Sequence, residues 1–135
     1  MALFDRPSAH ADEARKALRQ LAHATRHVED PTEIYPVLGE LTNGLASLAQ
    51  SLHQIAQSHD RALGTRACVA GDARTGRAAS YQVAWELHRA AEMVQQVANG
   101  VARAHEVEAT IAYDVDDSSA LAAIPRRVSD PGLSL

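Results

Sequence analysis

The side chains in this chain that could do chemistry are histidines, arginines and one cysteine, and their spacing limits what they can do. Seven histidines in 135 residues raise the question of a metal. His23 and His27 stand four apart, the interval at which two imidazoles on one helix can share an ion. They fall opposite Leu18, Leu21 and Val28, however, and the sequence sets no carboxylate or third histidine beside them. A catalytic zinc takes three protein ligands, so this pair reads as surface histidines. A di-iron bundle would repeat Glu-x-x-His on facing helices, and the carboxylates near His88 and His105 have other spacings. Neither a metal nor a cofactor is expected.

Nucleophilic chemistry has as little support. Cys68 is the sole cysteine, which excludes a disulfide framework and a cysteine metal cluster, and alone in a loop it reads as a bystander. Arg61, Arg66, Arg74 and Arg77 could contact phosphate. Without interleaved aromatics or a reading helix they are first of all solvated charges. His59 ends an apolar row, which leaves two readings: a hydrogen-bonded histidine at the core edge, or a pH-sensitive one. No glycine-rich phosphate loop follows a strand, because no strand is expected. An enzyme is not expected either.

What positions these residues is helical. Ile34, Leu38, Leu41, Leu45, Leu48, Leu52, Ile55 and His59 recur at steps of four and three, the seam of a helix packed along its length. From 31 to 63 that helix would run roughly 45 Å, with Leu45, Leu48 and Leu52 at the bundle centre. A first helix over 8–29 carries Ala14, Leu18, Leu21, Thr25 and Val28, with Ser8 as its N-cap. Asp30-Pro31-Thr32-Glu33 ends it and starts the second, with Asp30 as N-cap and Glu33 closing a capping box. Pro36 predicts a loosened first turn. Asn43-Gly44 and Asn99-Gly100 lie within unbroken seams and read as helical. A long loop is expected from 63 to 77. A third helix over 78–112 follows, with Val83, Leu87, Ala90, Val94, Val97, Val101 and Ala104 in its row and Ala84, Ala91 and Ala98 beside it.

The fold expected is therefore an all-α, antiparallel three-helix bundle, coiled-coil-like in its seams, followed by a flexible tail over 114–135. Many of its apolar residues are alanine and only five are aromatic, which suits closely approaching helices and not a sandwich. A net charge of −4 gives no general reason to expect nucleic acid or an acidic membrane surface. No apolar run reaches the ~18 residues of a spanning helix and no signal peptide is evident, so a cytoplasmic protein is expected.

Tyr35-Pro36-Val37-Leu38-Gly39-Glu40-Leu41, then Leu45-Ala46-Ser47-Leu48-Ala49-Gln50-Ser51-Leu52, ending at His59-Asp60-Arg61, resembles small all-helical proteins of actinobacteria, some of them associated with integrative mobile elements. The resemblance spans the three helices, the second most closely. It implies an all-helical accessory protein and carries over no site residues.

Function is then expected from a surface: a non-catalytic protein-interaction module, with a protein partner or a second copy and no small-molecule substrate. Tyr81, Trp85, His88 and Glu92 share the outer face of the third helix and form the candidate partner surface. The other reading of Trp85 is cover from within, by Leu3 and Phe4 or by the loop around Val69. A nucleic-acid accessory role through the loop arginines is the alternative function.

Overall fold

Three α-helices make up the computed structural model, which describes residues 5–114: α1 (Pro7–Ala24), α2 (Ile34–Ser58) and α3 (Ala73–Glu108). Apart from one isolated bridge between Val69 and Asp72, no strand pairing occurs among the described residues. The tail expected over 114–135 lies outside them beyond Asp114, as do Leu3 and Phe4.

The all-α class is as expected, but the packing is different. α2 and α3 lie antiparallel along their lengths. Tyr35 stacks on His105 at one end, with ring centroids 4.0 Å apart. His53 meets His88 further along, and His59 meets Ser80 near the connecting turn. α1 brings no Cα within 8 Å of either helix. None of its residues is buried, and Leu18 stays 56% exposed. The packed unit is a two-helix hairpin, not a bundle of three. Local pairs decorate α1 instead, Asp12 with Arg15 and Lys16 and Asp5 with His10, and exposed pairs of this kind contribute little.

The contact row of the hairpin is also not the one that the leucines suggest. The buried apolar residues are Ala49 and Ala56 on α2 and Ala84, Ala91 and Ala98 on α3, all at intervals of seven. The register fixed by the pairs above sets Ala49 opposite Ala91 and Ala56 opposite Ala84. Side chains this small let two helix backbones approach closely, and larger ones must lie beside the contact. Leu48 and Ile55 are accordingly 44% and 49% exposed, and Leu38, Leu41, Leu45 and Leu52 are half-buried. The leucine row flanks the centre it was expected to form.

The ends of the helices follow local chemistry. Pro7 takes the first position of α1, with Arg6 and not Ser8 as the cap. α1 stops at Ala24, five residues short of the expected end, where the Thr25 hydroxyl donates to the Leu21 carbonyl at 2.9 Å. Asp30 caps as expected, accepting from Thr32 N at 3.0 Å and Thr32 Oγ1 at 2.6 Å, while Glu33 bonds to Asp30 through its backbone N–H and not in the expected capping box. Pro31–Glu33 is a 3₁₀ turn, which leaves Pro36 in the first turn of α2 proper, where its missing N–H has no partner to lose. Asn43-Gly44 and Asn99-Gly100 both lie within helices.

The long loop is shorter than expected. A π-helical turn, His59–Leu63, continues α2, and α3 begins at Ala73. Asp72 caps it, accepting from Arg74 N at 3.0 Å and from the Thr75 hydroxyl at 2.6 Å. A two-residue turn precedes the cap: Val69 and Asp72 exchange backbone bonds of 3.0 and 2.9 Å. Both central residues, Ala70 and Gly71, have positive φ (50° and 80°), the signature of a type I′ turn. A few residues on, Gly76 lies so close to the Ala67 carbonyl that any Cβ there would overlap it. The connection is thereby folded onto the first turns of α3.

Ala70 is the residue that this turn suits worst, since the left-handed region costs an L-residue roughly 1–2 kcal/mol and asparagine tolerates it better. Ala70→Asn should therefore raise the denaturant midpoint by the equivalent of some tenths to about 1 kcal/mol. A lowered midpoint would mean that this turn is not type I′ in solution.

Candidate functional site

An antiparallel pair has two open faces, and a simple rule assigns residues to them here. Positions with the same offset from the alanine row lie on the same side. His53 and His88, each four residues after an alanine of the row, touch. So do His59 and Ser80, at offsets of three after Ala56 and four before Ala84, which is one position of the heptad.

On one side the offsets of one before and three after are filled by Leu41, Leu45, Leu48, Leu52 and Ile55 on α2. Val83, Leu87, Val94, Val97 and Val101 fill them on α3. No charged residue interrupts either row between residues 34 and 55 or between 83 and 104. Val83 and Val97 are 40% and 54% exposed, so this side is an apolar surface shared by both helices. At one end it runs into a groove of about 420 Å³ where α1 departs, lined by Leu21, Val28, Ile34, Val37, Leu38 and Leu41.

The other side is polar. Gln50, His53, Gln57, Glu92 and Gln95 line an open pocket of about 470 Å³ there. His53 and His88 approach with Nδ1 atoms 2.9 Å apart, and His88 Nε2 lies 3.0 Å from Asp60 Oδ2. The π-turn presents Asp60 to His88 on this side, while His59, at the offset of the apolar side, faces Ser80, whose hydroxyl is 2.8 Å from His59 Nδ1 and 3.2 Å from its carbonyl. His59 is thus a hydrogen-bonded histidine at the core edge. Ser80 is only 3% exposed, too enclosed to meet a substrate.

The candidate partner surface divides. Tyr81 and Trp85 stay in the open, 71% and 52% exposed, with the Arg89 guanidinium 5.5 Å from the Trp85 ring centroid. His88 turns inward to α2, and Glu92 joins the polar pocket. The arginines divide too. Arg61 and Arg77 share a pocket of about 210 Å³ with Thr65 and Tyr81 near the hairpin turn, and Arg66 and Arg74 are not part of it. His23 lies in the last turn of α1 while His27 lies beyond its end, so the interval of four does not stack their rings on one helix. No three His, Cys, Asp or Glu side chains gather as a metal site among the described residues, and Cys68 is exposed.

Two features escaped the sequence reading. His53 carries no signal in the sequence, because its pairing with His88 depends on an interhelical register that no single helix reveals. The alanine repeat was visible, in Ala49 and Ala56 and in Ala84, Ala91 and Ala98, and a strict interval of seven in both helices is the signal that would have found the contact.

His10 and Tyr113 are among the acid–base groups outside the hairpin that are shifted. Hydrogen bonding to the Asp5 carboxylate, then its charge, raises the pKa of His10. The Glu108 carboxylate that accepts from the Tyr113 hydroxyl raises that phenol above its ordinary value. Both groups are exposed, and neither lies on the two faces.

The position of Trp85 yields a direct test of which face is used. Its emission should be water-like in dilute protein and should stay so as concentration rises, because the apolar face lies on the other side of the hairpin. Blue emission in dilute protein would show the ring covered within one chain. A blue shift with concentration would move association to the Tyr81–Trp85 side.

Compared with family models, curated proteins and solved structures, the chain matches none.

Proposed function

We propose that this chain is a non-catalytic helical interaction module that associates with a second copy of itself through the Leu/Val face of the α2–α3 hairpin. The observation that carries this reading is the face itself, unbroken by charge and built from both helices. The size of the face supports it. About 30 Å of hairpin, two helices of roughly 10 Å diameter wide, gives on the order of 600 Å² per copy. That is at the limit of what a monomer leaves open. Two such faces together clear the roughly 1,000 Å² below which contacts are rarely specific.

The buried residues point the same way. Among the described residues only alanines and Ser80 are buried, apart from Gly76. An alanine methyl contributes about 0.8 kcal/mol on burial, whereas a leucine or valine contributes about 1.5–3 kcal/mol. The strongest apolar contributors are thus exposed or only half-buried, and a second hairpin laid on them supplies the layer that the sequence leads one to expect from a third helix. Like faces meeting about a twofold axis give a four-helix arrangement with no residue left over to propagate it. Among the described residues no helix is long and apolar enough to cross a membrane, so lipid-spanning burial does not account for this face.

A second reading rests on the pocket shared by Arg61 and Arg77, two of the four arginines put forward for phosphate contact. Nucleic-acid binding there would fall steeply as salt rises in a gel-shift series, and would be lost in Arg61→Ala with Arg77→Ala. Asp60 in the same pocket and the net charge of −4 count against it.

Sedimentation velocity tests the first reading. The wild-type chain should sediment as a dimer, and Leu48→Glu with Val97→Glu should yield a monomer of unchanged helicity. A monomeric wild type, or a dimer indifferent to both charges, would overturn it.

A further inference from the structure

On the polar side of the hairpin two histidines from different helices bring the same ring atom to the same point. His53 and His88 are 35 residues apart in sequence, yet their Nδ1 atoms are 2.9 Å apart, with ring planes 43° to one another. Asp60 determines what the His88 nitrogen offers. A carboxylate only accepts, so His88 Nε2 carries the proton it donates to Asp60 Oδ2, and the neutral ring keeps a lone pair on Nδ1. That lone pair faces His53 Nδ1. As the pair stands, His53 Nδ1–H donates to that lone pair across 2.9 Å; when an ion displaces this proton and His53 carries its proton on Nε2, two lone pairs converge.

We propose that His53 and His88 form a two-imidazole site for a late first-row transition-metal ion, held through both Nδ1 atoms, with Asp60 as the positioning residue for His88. Metal–nitrogen bonds of about 2.0–2.1 Å at a tetrahedral angle set ligand nitrogens roughly 3.3 Å apart. The rings need separate by only a few tenths of an ångström, which small rotations supply. The carboxylate–histidine–ion order is the outer-shell arrangement that fixes a ligating tautomer and raises its basicity. Solvent reaches the site, since the His88 and Asp60 side chains are 36% and 39% exposed. Among the described residues no third ligating side chain gathers there, so water completes the coordination. Imidazole ligands favour copper, nickel and zinc over magnesium or calcium. An ion held this way clasps α2 to α3 on the side away from the apolar face, so the site and the proposed dimer stand or fall separately.

Zinc titration of the untagged full chain, followed in long-range proton–nitrogen spectra of the histidine rings, tests this without any substitution. The Nδ1 resonances of His53 and His88 should shift together and saturate at one ion per chain, with those of His23 and His27 unmoved. Asp60→Asn should weaken zinc binding at least tenfold. His53→Gln should abolish the shared shift while leaving the far-ultraviolet dichroism unchanged. Shifts at Nε2, shifts confined to other histidines, or no shift at all would overturn the site. Unchanged affinity in Asp60→Asn would remove the positioning role.

Discussion

The close approach of α2 and α3 through rows of alanine is the constraint from which the rest of the structure follows. Ala49 and Ala56 on one helix and Ala84, Ala91 and Ala98 on the other leave no room for a larger side chain between the backbones. The leucine and valine rows of the two helices are therefore displaced to the flank of the contact. Because the heptad pattern puts the large residues on one flank, the hairpin is divided into an apolar side and a polar side. The same register brings Tyr35 to His105, His53 to His88 and His59 to Ser80.

The connecting segment serves that register. The π-turn over His59–Leu63 supplies both His59 and Asp60 to α3, so one irregular turn makes two cross-helix contacts. Turns of this type often mark functional positions. The type I′ turn at Ala70-Gly71 and the close packing of Gly76 on the Ala67 carbonyl then bring the chain back onto α3 within a few residues. α1 takes no part in this. Of its apolar row Leu18 is left exposed and Leu21 is half-buried, where the C-terminal end borders the groove at the edge of the apolar face.

Much of this was legible in the sequence, and the failures have physical causes. Four-three periodicity identified three helices and carried two of them correctly through Asn43-Gly44 and Asn99-Gly100. Periodicity reports the direction of an apolar stripe, however, and not the partner that covers it. Size alone points to leucine as the centre, whereas a close helix pair selects the smaller residue. Pairing across helices is outside the reach of spacing within one helix, which is why spacing sets His88 outward and gives His53 no signal of its own. The Asp72 cap and the Ala70-Gly71 turn were local signals, hidden by the expectation that glycines and arginines from 63 to 77 meant a loop. Thr25 and Val28 continue the spacing of α1 toward residue 29, although the helix itself stops at Ala24, where the Thr25 hydroxyl bonds back to Leu21.

Denaturant unfolding across a dilution series of two variants tests most directly whether alanine makes the hairpin and leucine makes the dimer. Ala91→Leu overpacks the contact row and should lower the midpoint at every concentration, by the equivalent of about 1–3 kcal/mol. Leu48→Ala should change the dilute midpoint little and lower it only at concentrations where the wild type is dimeric. The opposite pattern would contradict this structure. If Leu48→Ala cost about 2–5 kcal/mol in the dilute monomer while Ala91→Leu was tolerated, leucine and not alanine would form the centre of the fold.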